Sequence, residues 1–255
     1  MEASVDTQEL EAKVKDMYRH VAEQPEGKYH FEMGRSLAER LGYPPDVLDH
    51  IPDGAIESFA GVGYFFDLAD LCESESVIDL GSGSGLDVFF AAERVGSPGS
   101  VVGVDFTTEQ LDKARRIAEQ AGYAQVEFRE GRIEQLPADD ASFDCVISNG
   151  VINLAPEKEL VFAEAARVLK PGGRLAIADI VSEQQMKESI VCDADLWASC
   201  IGGAAQQDVY RDAIEGAGLR VKELRANPYR FISDRAQNAS EKYGVKSVSL
   251  LAAKV

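Results

Sequence analysis

The stretch Val77-Ile78-Asp79-Leu80-Gly81-Ser82-Gly83-Ser84-Gly85-Leu86-Asp87 constrains this chain more than any other. An apolar strand runs straight into three alternating glycines, and an apolar helix pattern, 86–95, follows without a linker. Glycines in such a turn let the backbone reverse sharply and let a ligand approach closer than a Cβ would allow. The stretch therefore predicts the first strand-to-helix crossing of a parallel sheet, with its ligand edge at the glycines.

The rest of the chain extends that pattern. From residue 76 onward, short β-branched runs alternate with helical patterns, the signature of successive βαβ units. Strands are expected at 76–80, 101–104, 126–128, 143–148, 174–180, 219–225 and 248–253, giving an α/β, doubly wound, Rossmann-like seven-stranded and mostly parallel sheet. Thr107 followed by Gln110 reads as a capping box for a helix that runs to Ala121 and stops at Gly122. Pro156 suits a first helical position, with Val161, Ala165, Val168 and Leu169 forming an apolar stripe behind it. Residues 1–75 carry helical patterns broken by a Pro- and Gly-rich stretch and are expected to form a helical cap on the substrate side; 76–255 form the main domain, with a helical insertion at about 183–216.

Composition removes several classes of function. Net charge is -18, and a nucleic-acid groove needs a basic footprint. The densest basic run, Lys113-Ala114-Arg115-Arg116, reads as a solvated helix face. No window approaches the run of roughly 18 apolar residues that a membrane span needs, and the N-terminus lacks the apolar core of a signal peptide. Cys72, Cys145, Cys192 and Cys200 have no metal-like spacing, so no metal site is expected and a reducing, cytoplasmic setting is the simplest assignment. Monomer and homodimer are both open.

Asp105 ends the second strand twenty positions after Gly85, where a carboxylate can accept from both hydroxyls of an adenosine ribose. That placement suits NAD and S-adenosylmethionine alike. The dinucleotide fingerprint, however, wants its third glycine one place later, where Leu86 stands, and Asp79 suits a cofactor without a pyrophosphate. No Tyr-x-x-x-Lys constellation supports an NAD-dependent oxidoreductase. With Lys170-Pro171-Gly172-Gly173 expected to end a helix before the fifth strand, residues 76–182 resemble the class I S-adenosylmethionine-dependent methyltransferases. The resemblance implies that Gly81, Ser82, Gly83 and Gly85 hold the methionine moiety and Asp105 the ribose. It also implies that Phe106 and Ile133 flank the adenine, and that Ser148 and Asn149 line the floor beneath the sulfonium. S-adenosylhomocysteine would be the product, and a small molecule the methyl acceptor.

Longer runs are similar to the arsenite methyltransferase branch. They include Phe59-Ala60-Gly61-Val62-Gly63, Ile147-Ser148-Asn149-Gly150-Val151-Ile152-Asn153-Leu154, and Leu196-Trp197-Ala198-Ser199-Cys200-Ile201-Gly202-Gly203-Ala204. That branch holds As(III), a soft ion, with several thiolates at once. Its pattern places cysteines where this chain has Val62 and Gly150, and only Cys200 matches. Aromatics abound instead, so Tyr18, Tyr29, Tyr64, Phe65 and Trp197 are the expected acceptor pocket. His30 is the candidate general base and Cys200 a second catalytic candidate. An arsenite methyltransferase with a reduced cysteine set is the alternative.

Overall fold

A computed structural model describes residues 6–198 and 201–255. Seven strands form one sheet: β1 (Ser76–Leu80), β2 (Ser100–Asp105), β3 (Val126–Glu130), β4 (Phe143–Asn149), β5 (Leu169–Val181), β6 (Leu219–Ala226) and β7 (Lys246–Lys254). Their spatial order is β3-β2-β1-β4-β5-β7-β6. The first five are mutually parallel, and β7 lies antiparallel between β5 and β6. The order reverses between β1 and β4, and in open α/β sheets the crevice at such a switch point takes the ligand.

Helices α1 (Thr7–Glu23), α2 (Arg35–Leu41), α3 (Pro45–Leu48), α4 (Asp53–Glu57) and α5 (Phe66–Ala69) precede the sheet. Helices α6 (Leu86–Val95), α7 (Thr108–Ala121) and α8 (Lys158–Val168) make the crossovers. The stretch between β5 and β6 carries α9 (Glu188–Val191), α10 (Ala194–Ala198) and α11 (Gln207–Gly216), and α12 (Asp234–Tyr243) leads into β7. None of the described helices is long and apolar enough to cross a membrane.

Strand side chains alternate between faces, and the sheet divides its core accordingly. Val77, Val101, Cys145 and Ile147 pack with α6, α7 and the pre-sheet helices on one face. Ile78, Leu80, Val102, Val146 and Ile177 pack with α8 and α11 on the other. Asp105 and Asn149 end their strands, and Asp79 stands one residue before the end of β1, all on the first face in register with that alternation.

Three local expectations need correction. Thr107 is the N-cap of α7 but its side chain makes no capping bond. Gln110 is instead spent elsewhere: its Nε2 donates to the Tyr18 carbonyl at 2.8 Å, and its Oε1 accepts from the Ser84 hydroxyl. Helix α8 starts at Lys158, because a 3-10 turn, Ile152–Leu154, occupies the chain just ahead of Pro156. Lys170-Pro171-Gly172-Gly173 does not end a helix. Pairing runs from Phe143↔Leu169 to Cys145↔Arg174, so this segment bulges out of β5.

Candidate active site

A cavity opens at the carboxyl ends of β1, β2 and β4, where the sheet reverses. Asp79, the glycine turn from Gly81 to Gly85, Asp105, Phe106, Ile133, Asn149 and Tyr18 all line it. The turn holds left-handed φ values of +76° at Gly81, +51° at Gly83 and +96° at Gly85. At Gly81 a Cβ would lie 2.5 Å from Val151, so the backbone and the β4 exit loop meet there only because a side chain is missing. At Gly83 the same atom would meet no protein group closer than 3.8 Å and would project into open space.

Asp105 is tied to this turn. Its Oδ2 accepts from the Gly83 N–H at 2.9 Å and its Oδ1 from the Thr107 N–H at 2.8 Å, which orients both oxygens at the cavity wall. Burial raises its pKa, while the two amides oppose that rise. Asp79 is 2% exposed and has no hydrogen-bond partner among the described residues. Burial, reinforced by the neighbouring Asp87 and Asp105 charges, pushes its pKa well above the ordinary carboxylate range. Leaving such a group unpaired is costly, and a cationic ligand group in the cavity would remove that cost.

Asp87, in the first turn of α6, is a third buried carboxyl. It accepts from the Tyr43 hydroxyl and from Asn149 Nδ2 (3.0 Å), and burial raises its pKa to about 6 against the lowering effect of these bonds. The rest of the Asn149 amide holds the 61–63 segment: Oδ1 accepts from the Val62 and Gly63 N–H groups, and Nδ2 reaches the Gly63 carbonyl. Asn149 thus lines the cavity while its polar atoms brace the wall.

Ser148 does not reach the cavity. It points to the opposite sheet face, 1% exposed, and donates to the Leu80 carbonyl at 2.7 Å. The aromatic residues also divide. Tyr18 lines the cavity and stacks toward Phe31. Tyr29 bonds the Gln24 carbonyl and stacks on Phe31, and His30 packs edge-on against the same ring; neither lines the cavity. Phe65 is fully buried against Phe66, and Tyr64 packs in a ring cluster with Tyr43, Phe66 and Phe90. Trp197 is buried against Leu10 and Val14 and borders a different cavity. Cys200 lies outside the described residues.

Of α1, the sequence pointed to Tyr18 but not to the residues beside it. Leu10, Glu11 and Val14 form, with Tyr18, one wall of the cavity, and Glu11 pairs with Arg132 at 2.6 Å beside Ile133. Leu10, Val14 and Val21 are buried apolar positions of α1, and their spacing along a helix does not specify what they pack against. Asp87 was visible as a carboxylate immediately after the glycine turn. Among the described residues, no cluster of His, Cys, Asp and Glu is arranged to hold a metal ion.

Comparisons with known proteins agree with this geometry. Residues 72–218 match the methyltransferase domain family. An arsenite methyltransferase from Halobacterium salinarum is 42% identical over 205 residues, covering 80% of this chain and 52% of that protein. One from Aquipseudomonas alcaligenes is 46% identical over 184 residues, covering 69% and 52%. The chain thus spans about half the length of the curated relatives it matches. The crystal structure of an arsenic(III) S-adenosylmethionine methyltransferase from Chlamydomonas reinhardtii superposes with a TM-score of 0.68 at 31% identity, covering 82% of this chain and 72% of that one. The chain belongs to the methyltransferase domain family, among the class I S-adenosylmethionine-dependent methyltransferases and near their arsenite branch.

Proposed function

We propose that this protein transfers the methyl group of S-adenosylmethionine to a small-molecule acceptor other than trivalent arsenic. The observation that carries the cofactor half is the unpaired, buried Asp79 carboxyl facing the same cavity as Asp105 and the glycine turn. The donor suits this lining, because its sulfonium and ammonium are both cationic. In this reading Asp105 accepts from the ribose hydroxyls, Phe106 and Ile133 flank the adenine, Gly81 to Gly85 admit the methionine chain, and Asp79 takes its ammonium. When bound, S-adenosylmethionine supplies an electrophilic methyl group on sulfur.

The protein's own work is alignment and exclusion of water. Leu10, Val14 and Tyr18 cover the cavity from α1, while Phe59, Val151 and Leu154 close it from the other walls. Holding reactants in line can supply roughly 7–11 kcal/mol of a bimolecular barrier. No histidine, cysteine or lysine lines the cavity among the described residues, so His30 is not placed to act as a base. Asp87, held near pKa 6, is the lining group best matched to accept an acceptor's proton near neutral pH.

The acceptor half rests on Val62 and Gly150. These positions, where the arsenite branch carries thiols, pack against one another without sulfur. Calorimetry with S-adenosylhomocysteine, with NADH as the control, tests the cofactor assignment. Binding of NADH but not of S-adenosylhomocysteine would overturn it.

A further inference from the structure

A second cavity, of about 220 Å³, lies between α8, α10 and α11. It is separate from the cofactor cavity and shares only the Pro156 wall with it. A volume of this order admits a small organic molecule. Met186, Val191, Val209 and Ala213 make most of the wall apolar.

The wall also holds one buried cation. Lys158 is 8% exposed, and its Nζ donates to the carbonyls of Asn153 (3.2 Å) and Ala155 (2.9 Å). It lies over the Trp197 ring, 4.7 Å from the centroid. No carboxylate is in ion-pair contact with it among the described residues. The buried Asp179, which acts on it through space, is already engaged by the Tyr210 hydroxyl and Asn153 Nδ2, both at 2.6 Å. Asp179 and Glu159 act on this ammonium only through space, and burial outweighs them, so its desolvation is only partly compensated. Only two of its three N–H groups have a hydrogen-bond acceptor among the described residues. Burial lowers its pKa to about 8, so it is mainly cationic at neutral pH.

We propose that this second cavity binds a small monocarboxylate with an apolar body, the carboxylate on Lys158 and the body between Trp197, Met186, Val191 and Val209. Lys158 is the one lysine or arginine among the lining residues, and Glu159, the one carboxylate there, is exposed to solvent, so the buried Lys158 end of the chamber matches one anionic group. The charge-assisted bond supplies affinity that a neutral isostere lacks.

Trp197 is the only tryptophan in the chain, so its emission reports this cavity directly. The experiment titrates the full chain with benzoate and, in parallel, with benzamide. The expected result is a saturable change in emission with benzoate, at least tenfold weaker with benzamide and at least tenfold weaker in Lys158→Met. Val209→Glu places a like charge at an exposed position of the rim and should weaken benzoate similarly without touching the core. Calorimetry with S-adenosylhomocysteine on each variant reports the fold and the cofactor cavity separately. The proposal is overturned by no saturable change with benzoate, by equal binding of benzamide, or by benzoate affinity that neither substitution alters. Loss of S-adenosylhomocysteine binding in the wild-type chain would instead strike the methyltransferase reading and leave this one standing.

Discussion

Val62 and Gly150 stand against each other beside the end of β4: a Cβ on Gly150 would lie 3.1 Å from Val62 Cγ1. Two segments far apart in sequence thus bring together the positions at which the resemblance to the arsenite branch implies cysteines. A valine and a glycine give a soft ion nothing to bind, and the single matching Cys200 cannot supply several thiolates. Titration with As(III), followed calorimetrically, should give no tight complex. Submicromolar binding that disappears in Cys200→Ser would revive the arsenite alternative.

Asp105 orients the turn and faces the cavity at once. Asp105→Ala removes the acceptor of the Gly83 and Thr107 N–H groups, along with the proposed ribose contacts. Charge-assisted hydrogen bonds are worth about 1.5–3 kcal/mol, so S-adenosylhomocysteine should bind about tenfold to a hundredfold more weakly by calorimetry. Unchanged affinity would mean that the ribose is held by other groups.

Gly81 and Gly83 should respond differently to the same substitution. Gly83→Ala meets no protein atom within 3.4 Å and bears only the left-handed backbone penalty, roughly 1–2 kcal/mol. Its side chain enters the space assigned to the donor, so folding should persist while S-adenosylhomocysteine binding is lost. Gly81→Ala drives a Cβ to 2.5 Å from Val151 and should lower the melting temperature more. Thermal melts with and without ligand separate the two effects. Retained binding in Gly83→Ala would place the donor elsewhere.

Much of this was legible in the primary structure because strand alternation and glycine turns are local signals. The seven strands appear where β-branched runs predicted them, and Asp79, Asp105 and Asn149 share a face by simple period-two counting. The same counting excludes Ser148, which follows Ile147 onto the opposite face and satisfies itself on the Leu80 carbonyl. What local pattern could not convey is which surface a helix docks against. Tyr64 and Phe65 lie in an aromatic run that could have faced the ligand, but their rings pack into the core beneath α6. Leu10 and Val14 carry no local signal of a ligand, yet α1 places them in the cavity wall. Gln110 satisfied a capping pattern, but the better-placed partners in three dimensions were Ser84 and the Tyr18 carbonyl.

Asp87 should make stability fall with rising pH across a defined window. Its carboxyl has an ordinary value of 3.8 when unfolded and is raised to about 6 by burial when folded. The folded state therefore binds the extra proton between these values, so stability is greatest below about pH 4 and declines until about pH 6. The loss attributable to this group is about 1–3 kcal/mol at 1.36 kcal/mol per pKa unit. Asp87→Asn should flatten that part of the profile in urea melts, because the amide stays neutral and can still bond Tyr43 or Asn149. A slope between pH 4 and 6 identical to the wild type would show that the Asp87 carboxyl does not carry the proton.

The acid surplus should make the fold salt-dependent. Forty-four acidic residues against 26 basic ones leave a net charge of -18. Several of the cations are already committed locally, as in Arg35 with Glu39 and Asp49, or Arg167 with Asp140 and Glu164. The uncompensated carboxylates repel one another across the surface, which opposes compaction. Raising KCl from about 0.1 to 1 M shortens the screening length from about 10 to 3 Å. That weakens exposed ion pairs worth at most about 1 kcal/mol each, but it weakens the larger net repulsion more. The melting temperature should rise, by roughly 2–4 °C for each 1 kcal/mol of repulsion relieved in a chain of this size. KCl is the appropriate salt, because sulfate would also strengthen apolar burial and confuse the cause. A melting temperature that falls across this range would show that the ion pairs outweigh the excess charge.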